Sequence, residues 1–228
     1  MKKIIFGIFA HPDDESFGPA GTLLMEADAG TEVHLITLTA GDSGMNPDKE
    51  ADLATVRLQE WKRAGQLIGA EGMHALGYKD GTLSNQDMIT ISQELIELIG
   101  VVIKDEPADT QIELMSMDLN GVTGHIDHIV AGRSACYAFY KHKVTDSRFT
   151  RIRLACLSAQ QIPNLDTSWL FMEPGRLDDE IDEIVDATAH QDQLRDIIAA
   201  HHTQRADSET YLRTMGDQLG MNYFIVKS

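Results

Sequence analysis

Two kinds of hydrophobic pattern alternate along the chain. Short, nearly continuous apolar runs are typical of strands that are covered on both faces, whereas apolar residues that recur every three or four positions are typical of helices. The runs that predict strands lie at positions 2–10, 31–41, 73–78, 110–118, 151–158, 179–188 and 221–228. The helical patterns lie at positions 19–30, 49–68, 85–106, 121–142 (where a loop enters the helix) and 190–204.

This alternation of strand and helix continues from end to end and predicts the fold class. Strands that alternate with helices form a mostly parallel sheet with helices on both faces, so we predict a three-layer, Rossmann-like α/β fold. The acidic segment 179–188 fits an edge strand of that sheet. Because the sequence shows no repeat, low-complexity tract or break in composition, we predict a single domain over residues 1–228.

Three polar loops directly follow predicted strands. The sequence HPDDE occupies positions 11–15 after the first strand, GDSG occupies 41–44 after the second, and GVTGHIDH occupies 121–128 after the strand at 110–118. Ligands of open α/β sheets bind beyond the carboxyl ends of the strands. We therefore expect these three loops to converge on one edge of the sheet.

The charge of the chain restricts its partners. There are 19 Lys and Arg against 36 Asp and Glu, a formal net charge of −17, which disfavours nucleic acid and anionic membrane surfaces. No stretch is long and apolar enough to span a bilayer, and the short N-terminal apolar run is followed at once by charges, unlike an export signal. We expect a cytoplasmic protein with a small-molecule partner. The two cysteines, Cys136 and Cys156, lack a CxxC motif and fit buried reduced thiols.

The first and third loops contain residue types that bind metals. His11 and Asp14 are three residues apart in a turn, and His125 and His128 are three apart where a helix begins, so that both can project from one face. A catalytic zinc site uses three protein ligands and leaves one position for water. The two loops offer more donors than such a site needs, as a hydrolytic centre would require.

The carboxylates left over from ligation suggest a general base. Asp13 or Glu15 could accept a proton from an attacking water. The alternative is that Asp13 and Asp14 only cap the next helix, with their side chains accepting backbone N–H groups. Because the acidic loop and the histidine pair are predicted at the same sheet edge, we favour a metal site over helix capping.

The motifs AHPDDE at 10–15 and GHIDH at 124–128 resemble the paired signatures of the PIG-L/LmbE-type N-acetylglucosaminyl deacetylases. Three further segments support the resemblance: TAGDSG at 39–44, the Arg, Glu, Ala and LG spacing with a later Asp-Gly within 57–83, and AAHHTQ at 199–204. The resemblance implies a zinc-dependent hydrolase that removes the N-acetyl group from an N-acetylglucosamine-type amino sugar, with ferrous iron as the alternative metal. It also implies a homo-oligomer.

The resemblance also implies a role for each matching residue. The implied zinc ligands are His11, Asp14 and His128. The implied catalytic residues are Asp13 as general base, His125 as the group that stabilises the transition state or protonates the leaving amine, and Asp127 beside His125 to orient or charge it. The implied substrate-recognition residues are Arg57, Asp80 and His201.

The sequence departs from the family pattern at Thr123, where some members have a tyrosine that polarises the carbonyl, and at Ile126, which replaces a proline. Two of the matched residues also have alternative, purely structural roles. Arg57 could form a surface ion pair with Glu60, and His201 with its neighbour could simply end a helix, where cations are favoured. Two other functions stay open at this point: a hydrolase of another amide or ester, and a non-catalytic module that binds a sugar or nucleotide.

Overall fold

The computed structural model describes residues 1–162 and 175–228, and within them a single sheet of eight strands is surrounded by helices. The strands are β1 Lys3–Phe9, β2 Glu32–Thr39, β3 Gly72–Tyr78, β4 Gln111–Met117, β5 Phe149–Ser158, β6 Gly175–Arg176, β7 Glu183–Asp186 and β8 Met221–Lys227. The α-helices are α1 Asp14–Phe17, α2 Ala20–Asp28, α3 Leu53–Ile68, α4 Asn85–Val102, α5 Ile126–Thr145, α6 Gln191–Ala199 and α7 Arg205–Met215.

The strand order is β3-β2-β1-β4-β5-β8-β7, with β6 paired to β5. Strands β1 to β5 pair in parallel, whereas β8 runs antiparallel to both β5 and β7. The predicted mostly parallel α/β sheet is confirmed, and β7 is the predicted edge strand. The chain continues from β1 to β2 on one side and from β4 to β5 on the other, so the strand order reverses between β1 and β4.

The central strands are apolar because both faces of the sheet are covered. On β1, Ile4, Phe6 and Ile8 belong to the core that includes helices α4 and α5, whereas Ile5 and Phe9 belong to the opposite core that includes α2, α3 and α6. Successive side chains of a strand point to opposite faces, so the continuous apolar run supplies both cores at once. This packing fixes where β1 ends and where the loop after it begins.

The C-terminal helical region differs from the prediction. Helix α6 ends at Ala199, a 3-10 turn follows at His202–Gln204, and α7 begins at Arg205, whereas one helix was predicted over 190–204 and none after it. The break lets the ring of His201 turn into the protein interior, where it is 1% exposed. Helix α7 lacks a strong apolar period because only Ser208 and Met215 are buried on it.

The described helices include none with both the length and the apolar content that a membrane crossing needs. The expected cytoplasmic location and homo-oligomer stay predictions. Cys156 is buried and Cys136 is half-buried, and neither forms a disulfide. Burial raises the pKa of Cys156 to about 12 and that of Cys136 to about 11, so both are inert thiols, as expected.

Helix α5, which begins directly after His125 and carries His128 in its first turn, is held on the sheet by Phe139, which is 0% exposed. We predict that Phe139→Ala lowers the free energy of unfolding by about 3–5 kcal/mol, because it removes buried apolar surface and leaves a cavity. Tyr137→Ala on the same helix, at a side chain that is 48% exposed, should change it by less than about 0.5 kcal/mol. Urea denaturation measures both, and equal losses would contradict this account of the core.

Candidate metal centre and active site

The candidate site lies where the strand order reverses. His11 and Asp14 follow the carboxyl end of β1, and His125 and His128 follow that of the neighbouring strand β4, at the start of α5. Crevices at such switch points are the usual ligand sites of open α/β sheets. The structure therefore brings together the two loops that the sequence predicted to converge.

Three candidate ligand atoms face one another at this crevice. His128 Nε2 lies 3.1 Å from Asp14 Oδ1 and 3.2 Å from His11 Nδ1. His11 Nδ1 lies 3.7 Å from Asp14 Oδ2. Ligands bound at about 2.0–2.1 Å to one tetrahedral ion are roughly 3.3 Å apart. The two separations from His128 Nε2 thus fit ligands of a shared divalent metal, whereas the contact of His11 with Asp14 is to the other carboxylate oxygen, Oδ2.

Asp14 and His128 each form hydrogen bonds with the backbone through the atom that faces away from the other ligands. Asp14 Oδ2 accepts the N–H groups of Ala10 and His11 at 3.0 and 2.9 Å, which leaves Oδ1 directed at His128. His128 Nδ1 lies 3.2 Å from the carbonyl oxygen of Gly121. That contact requires a proton on Nδ1 and leaves the Nε2 lone pair for a metal, the arrangement that orients metal-binding histidines.

Two carboxylates orient the ring of His11, as the carbonyl of Gly121 orients the ring of His128. Its Nε2 lies 3.1 Å from Asp80 Oδ1 and 3.3 Å from Asp127 Oδ2. Burial lowers the pKa of His11, but the contacts with Asp127, Asp14 and Asp80 outweigh burial and raise it well above its ordinary value. Nε2 therefore carries a proton and Nδ1 faces the ligand atoms. A metal would displace the Nδ1 proton, because ligation requires an unprotonated nitrogen.

These contacts give Asp80 and Asp127 a role at His11 beside their expected roles, which stay predictions. The Asp127 carboxylate accepts the N–H groups of Gly81 and Leu83 at 2.8 and 3.1 Å while it holds His11. Asp80 Oδ2 accepts the N–H of Ser43 at 2.7 Å. Asp80 was expected to recognise substrate and Asp127 to orient His125. In the structure both carboxylates position a candidate metal ligand, and the three loops are joined through them.

The surroundings of Asp14 favour the ionised form of its carboxyl group. Burial would raise the pKa of its carboxyl group, but the nearby rings of His128 and His11 lower it well below its ordinary value. The carboxylate is thus ionised over the physiological range. Two imidazole nitrogens and one carboxylate oxygen suit Zn²⁺ and also Fe²⁺, so the donor set fits the metals that the sequence predicted.

Asp13 lies beside the ligands and adopts an unusual backbone conformation. Its φ of 119° is rare for a residue with a side chain, and its carbonyl oxygen accepts the N–H groups of Ser16 and Phe17 at 2.8 and 2.9 Å. Its carboxylate Oδ2 lies 2.8 Å from a terminal nitrogen of Arg57. Burial raises the pKa of Asp13 to about 6, and the Arg57 charge opposes that rise.

Arg57 is buried against the first two loops. Its guanidinium donates to the carbonyl oxygens of Gly41 and Pro12 as well as to Asp13. A Cβ atom at Gly41 would lie 2.5 Å from this guanidinium and one at Gly44 would lie 2.6 Å from it. The glycines of the GDSG loop therefore allow the backbone to close around Arg57.

The surface ion pair proposed as the alternative for Arg57 is wrong. Arg57 is 4% exposed, and Glu60 instead accepts the backbone N–H and the hydroxyl of Thr203 at 2.9 and 2.6 Å. Both terminal nitrogens of Arg57 are engaged inside the protein, and the expected role in substrate recognition stays a prediction. In the structure Arg57 holds the Asp13 carboxylate.

His125 caps helix α5 at the edge of the ligand cluster. Its Nδ1 accepts the backbone N–H of Asp127 at 3.2 Å, and its ring centroid lies 4.7 Å from that of His128 and 5.0 Å from that of His11. Burial and the charges of His128 and His11 lower the pKa of His125. The three histidine rings form another set of donors that could hold a metal, with His125 in place of Asp14, and His11, Asp80 and Asp127 form a further one.

Glu15 and His201 are buried below the site. His201 Nε2 lies 3.1 Å from Glu15 Oε1 and 3.0 Å from the hydroxyl of Ser16. Burial lowers the pKa of His201, but the Glu15 carboxylate outweighs burial and raises it. This pairing removes Glu15 as the alternative general base. The ring of His201 does not end a helix at the surface, since of this pair only His202 is exposed, and the expected role of His201 in substrate recognition stays a prediction.

Sequence reasoning missed the backbone groups that position these side chains. The N–H groups of Gly81 and Leu83 and the carbonyl of Gly121 have no sequence signal of their own beyond the turn residues around them. The departure at Thr123 lies in a buried turn, where its N–H donates to Gly121 at 2.7 Å. The turn residues in the sequence predicted loops at these positions but not which side chains the loop backbone would contact.

An α/β protein with a candidate metal centre of two histidines and a carboxylate is the class that this fold and geometry define. The chain belongs to the PIG-L family: residues 6–139 match that family, which is described as GlcNAc-PI de-N-acetylase.

Curated relatives of the chain are deacetylases by name. It is 27% identical over 232 residues to 1D-myo-inositol 2-acetamido-2-deoxy-alpha-D-glucopyranoside deacetylase of Mycolicibacterium smegmatis, covering 89% of this chain and 80% of the relative. It is 32% identical over 134 residues to diacetylchitobiose deacetylase of Thermococcus kodakarensis, covering 58% and 47% of the two chains.

Solved structures share the fold. N,N'-diacetylchitobiose deacetylase from Pyrococcus horikoshii matches with a TM-score of 0.65 and 20% identity over 99% of this chain and 83% of that one. The 4-carboxy-2-hydroxymuconate hydratase GalB from Pseudomonas putida KT2440 matches with a TM-score of 0.70 and 17% identity over 100% and 97%. At these identities the likeness establishes the architecture and leaves the reaction to the site.

The set with Asp14 and the three-histidine set share His11 and His128, so they differ in the metal content that they predict for His125→Ala. If His11, Asp14 and His128 are the ligands, His128→Ala should lose most of the bound metal, whereas His125→Ala should retain about one ion per chain. Elemental analysis after equilibration with zinc measures both, and His34→Ala is the control because His34 lies at the opposite end of β2. Loss of metal from His125→Ala would favour the three-histidine set instead.

Proposed function

We propose that this protein is a metal-dependent N-deacetylase that removes the acetyl group from an N-acetylglucosamine-type amino sugar or conjugate and releases acetate and a free amine. The observation that carries the proposal is the convergence of one imidazole nitrogen from each of His11 and His128 and a carboxylate oxygen of Asp14, with the Asp13 carboxylate beside them. Membership of the PIG-L family and the names of the relatives support the reaction and the class of substrate.

Zinc is the metal that we propose, held by His11, Asp14 and His128, and ferrous iron is the alternative that the same donors accept. Such an ion supplies Lewis acidity, which acidifies a water and polarises an amide carbonyl. The residues that hold its ligands, above all Asp80 and Asp127, would keep the donor atoms in place before the ion binds.

Asp13 is the proposed general base. It accepts a proton as the oxygen of an attacking water forms a bond to the acetyl carbon. Arg57 donates to one oxygen of the Asp13 carboxylate and fixes its direction. Since the backbone of Asp13 is also constrained, the base is positioned relative to the adjacent ligand Asp14 by both its main chain and its side chain.

His125 is the proposed proton donor. When the bond between the acetyl carbon and the sugar nitrogen breaks, the nitrogen needs a proton to leave as an amine. His125 lies at the edge of the cluster with its ring against His128, and because Nδ1 accepts the N–H of Asp127, the donated proton would come from Nε2. Water gives one proton to Asp13 and retains the other until the acetic acid formed ionises to acetate, while the amine takes its proton from His125; loss of the proton from Asp13 and reprotonation of His125 from solvent complete the cycle.

The fold alone does not select this reaction, because a hydratase shares it. Acetate and amine release should therefore be measured on a panel of N-acetylglucosamine conjugates, with an N-acetylated amino acid and an acetate ester as controls for other hydrolases. We expect release from the sugar conjugates only, its loss with a chelator and its return with zinc. Tight binding of sugar without turnover would instead support the binding module, and turnover of the ester alone would support another hydrolase.

The role of Asp13 can be separated from folding and metal binding. Asp13→Asn should lower kcat by about 10²–10⁴, because asparagine is similar in shape but cannot accept the proton. The metal content and thermal stability should stay near those of the unaltered protein. Asp109→Asn, at an exposed residue just before β4 and thus at the opposite edge of the sheet, is the matched control. Activity of Asp13→Asn within a few-fold of the unaltered protein would assign the base elsewhere.

A further inference from the structure

We propose that Glu15 and His201 form a buried brace that positions Asp13, so that His201 acts on the reaction through Glu15 and the Asp13 backbone. This inference rests on the proposed function, in which Asp13 is the general base. The two residues are 186 positions apart in the chain, and their contact joins the C-terminal segment to the first loop.

Both members of this pair are buried. Glu15 is 0% exposed and His201 is 1% exposed. A buried carboxylate is costly unless it is paired and hydrogen-bonded, and Glu15 meets both conditions. Its Oε1 accepts the Ser16 hydroxyl at 2.6 Å and lies 3.1 Å from His201 Nε2.

The other oxygen of Glu15 reaches the general base. Glu15 Oε2 accepts the backbone N–H of Asp13 at 3.3 Å. Asp13 has a φ of 119°, a region that residues with a side chain rarely adopt and that persists only where the surroundings hold it. Glu15 therefore holds the backbone N–H of Asp13, while Arg57 holds the Asp13 carboxylate.

The position of His201 is fixed independently of Glu15. Thr203 donates its N–H and hydroxyl to Glu60 on α3, and Gln204 donates to the carbonyl of Met45 in the second loop. These contacts anchor the turn that carries His201. A fixed imidazole can hold Glu15 in one rotamer, which a mobile one could not.

Ser16, His201 and Glu15 are the residue types of a hydrolytic triad, but their geometry excludes that role. Ser16 Oγ and Glu15 Oε1 both contact the same nitrogen, His201 Nε2, whereas a triad uses one ring nitrogen for each partner. Ser16 is also buried, and His201 Nδ1 has no hydrogen-bond partner among the described residues. The cluster can position a neighbour but cannot attack a substrate.

The kinetic test uses His201→Ala, with His202→Ala as the matched control, since the His202 side chain is 68% exposed one residue further on. We expect His201→Ala to lower kcat at least tenfold with KM and metal content unchanged, and His202→Ala to have no effect. Glu15→Gln keeps an acceptor for the Asp13 N–H and should lose less activity than Glu15→Ala. Equal losses in these two Glu15 variants would overturn the brace.

Combination with Asp13→Asn distinguishes positioning from general destabilisation. If His201 acts through Asp13, His201→Ala should cause no further loss of kcat in the Asp13→Asn protein. Losses that multiply would mean that His201 acts by another route and would overturn the inference. Glu15→Ala, which removes the acceptor of the Asp13 N–H from the other side of the pair, provides the same comparison should His201→Ala not fold.

A second readout does not depend on activity. The amide of Asp13 should exchange with solvent at least tenfold faster in His201→Ala than in His202→Ala, measured by NMR on the full-length protein. Unchanged exchange would overturn the brace. If the unaltered protein releases no acetate from any sugar conjugate, the proposed function fails, and the exchange measurement still decides whether His201 and Glu15 hold the Asp13 backbone.

Discussion

The rest of the site depends on the hydrogen bonds that hold His11, Asp14 and His128. These bonds are made by the side-chain atoms that face away from the candidate metal position. Buried imidazoles and carboxylates are costly unless each polar atom is satisfied. Here backbone N–H groups hold Asp14, a backbone carbonyl holds His128, and two carboxylates hold His11. His11 Nδ1, Asp14 Oδ1 and His128 Nε2 are then left on the side of the candidate metal position. A divalent cation at their meeting point would neutralise a cluster that is otherwise rich in carboxylates.

The parallel sheet makes this arrangement available. Strands β1 and β4 are adjacent but lead the chain in opposite directions, so their following loops diverge and leave a crevice between them. The third loop, after β2, closes around Arg57 with two glycines and orients the carboxylate of Asp13. Ligands, base and proton donor thus come from loops on one sheet edge, while the helices that cover both faces keep the strands in register.

Much of the fold could be predicted from local pattern, which also indicated His11, Asp14, His125 and His128 as candidate donors, whereas the choice of three ligands among them came from the family resemblance. The apolar run of β1 predicted a covered strand, and the position of His11 directly after it predicted a sheet-edge loop. Contacts between distant segments had no such signal. The helical spacing of Arg57 and Glu60 allowed a surface ion pair, yet Arg57 is buried against Asp13. Likewise, the sequence around Asp80 does not indicate its contact with His11, and the sequence around His201 does not indicate its contact with Glu15. Helix α7 was missed because few of its residues are buried.

The central claim is that two imidazoles and the Asp14 carboxylate, held in advance by their outer contacts, bind one metal ion. X-ray absorption spectroscopy of the zinc-loaded protein measures this directly, because imidazole rings give a distinct scattering signature and zinc binds nitrogen and oxygen at about 2.0–2.2 Å. The account predicts two imidazoles per zinc, the remaining ligands being oxygen, and the same spectrum for His125→Ala. Three imidazoles per zinc in the unaltered protein, falling to two in that variant, would contradict it.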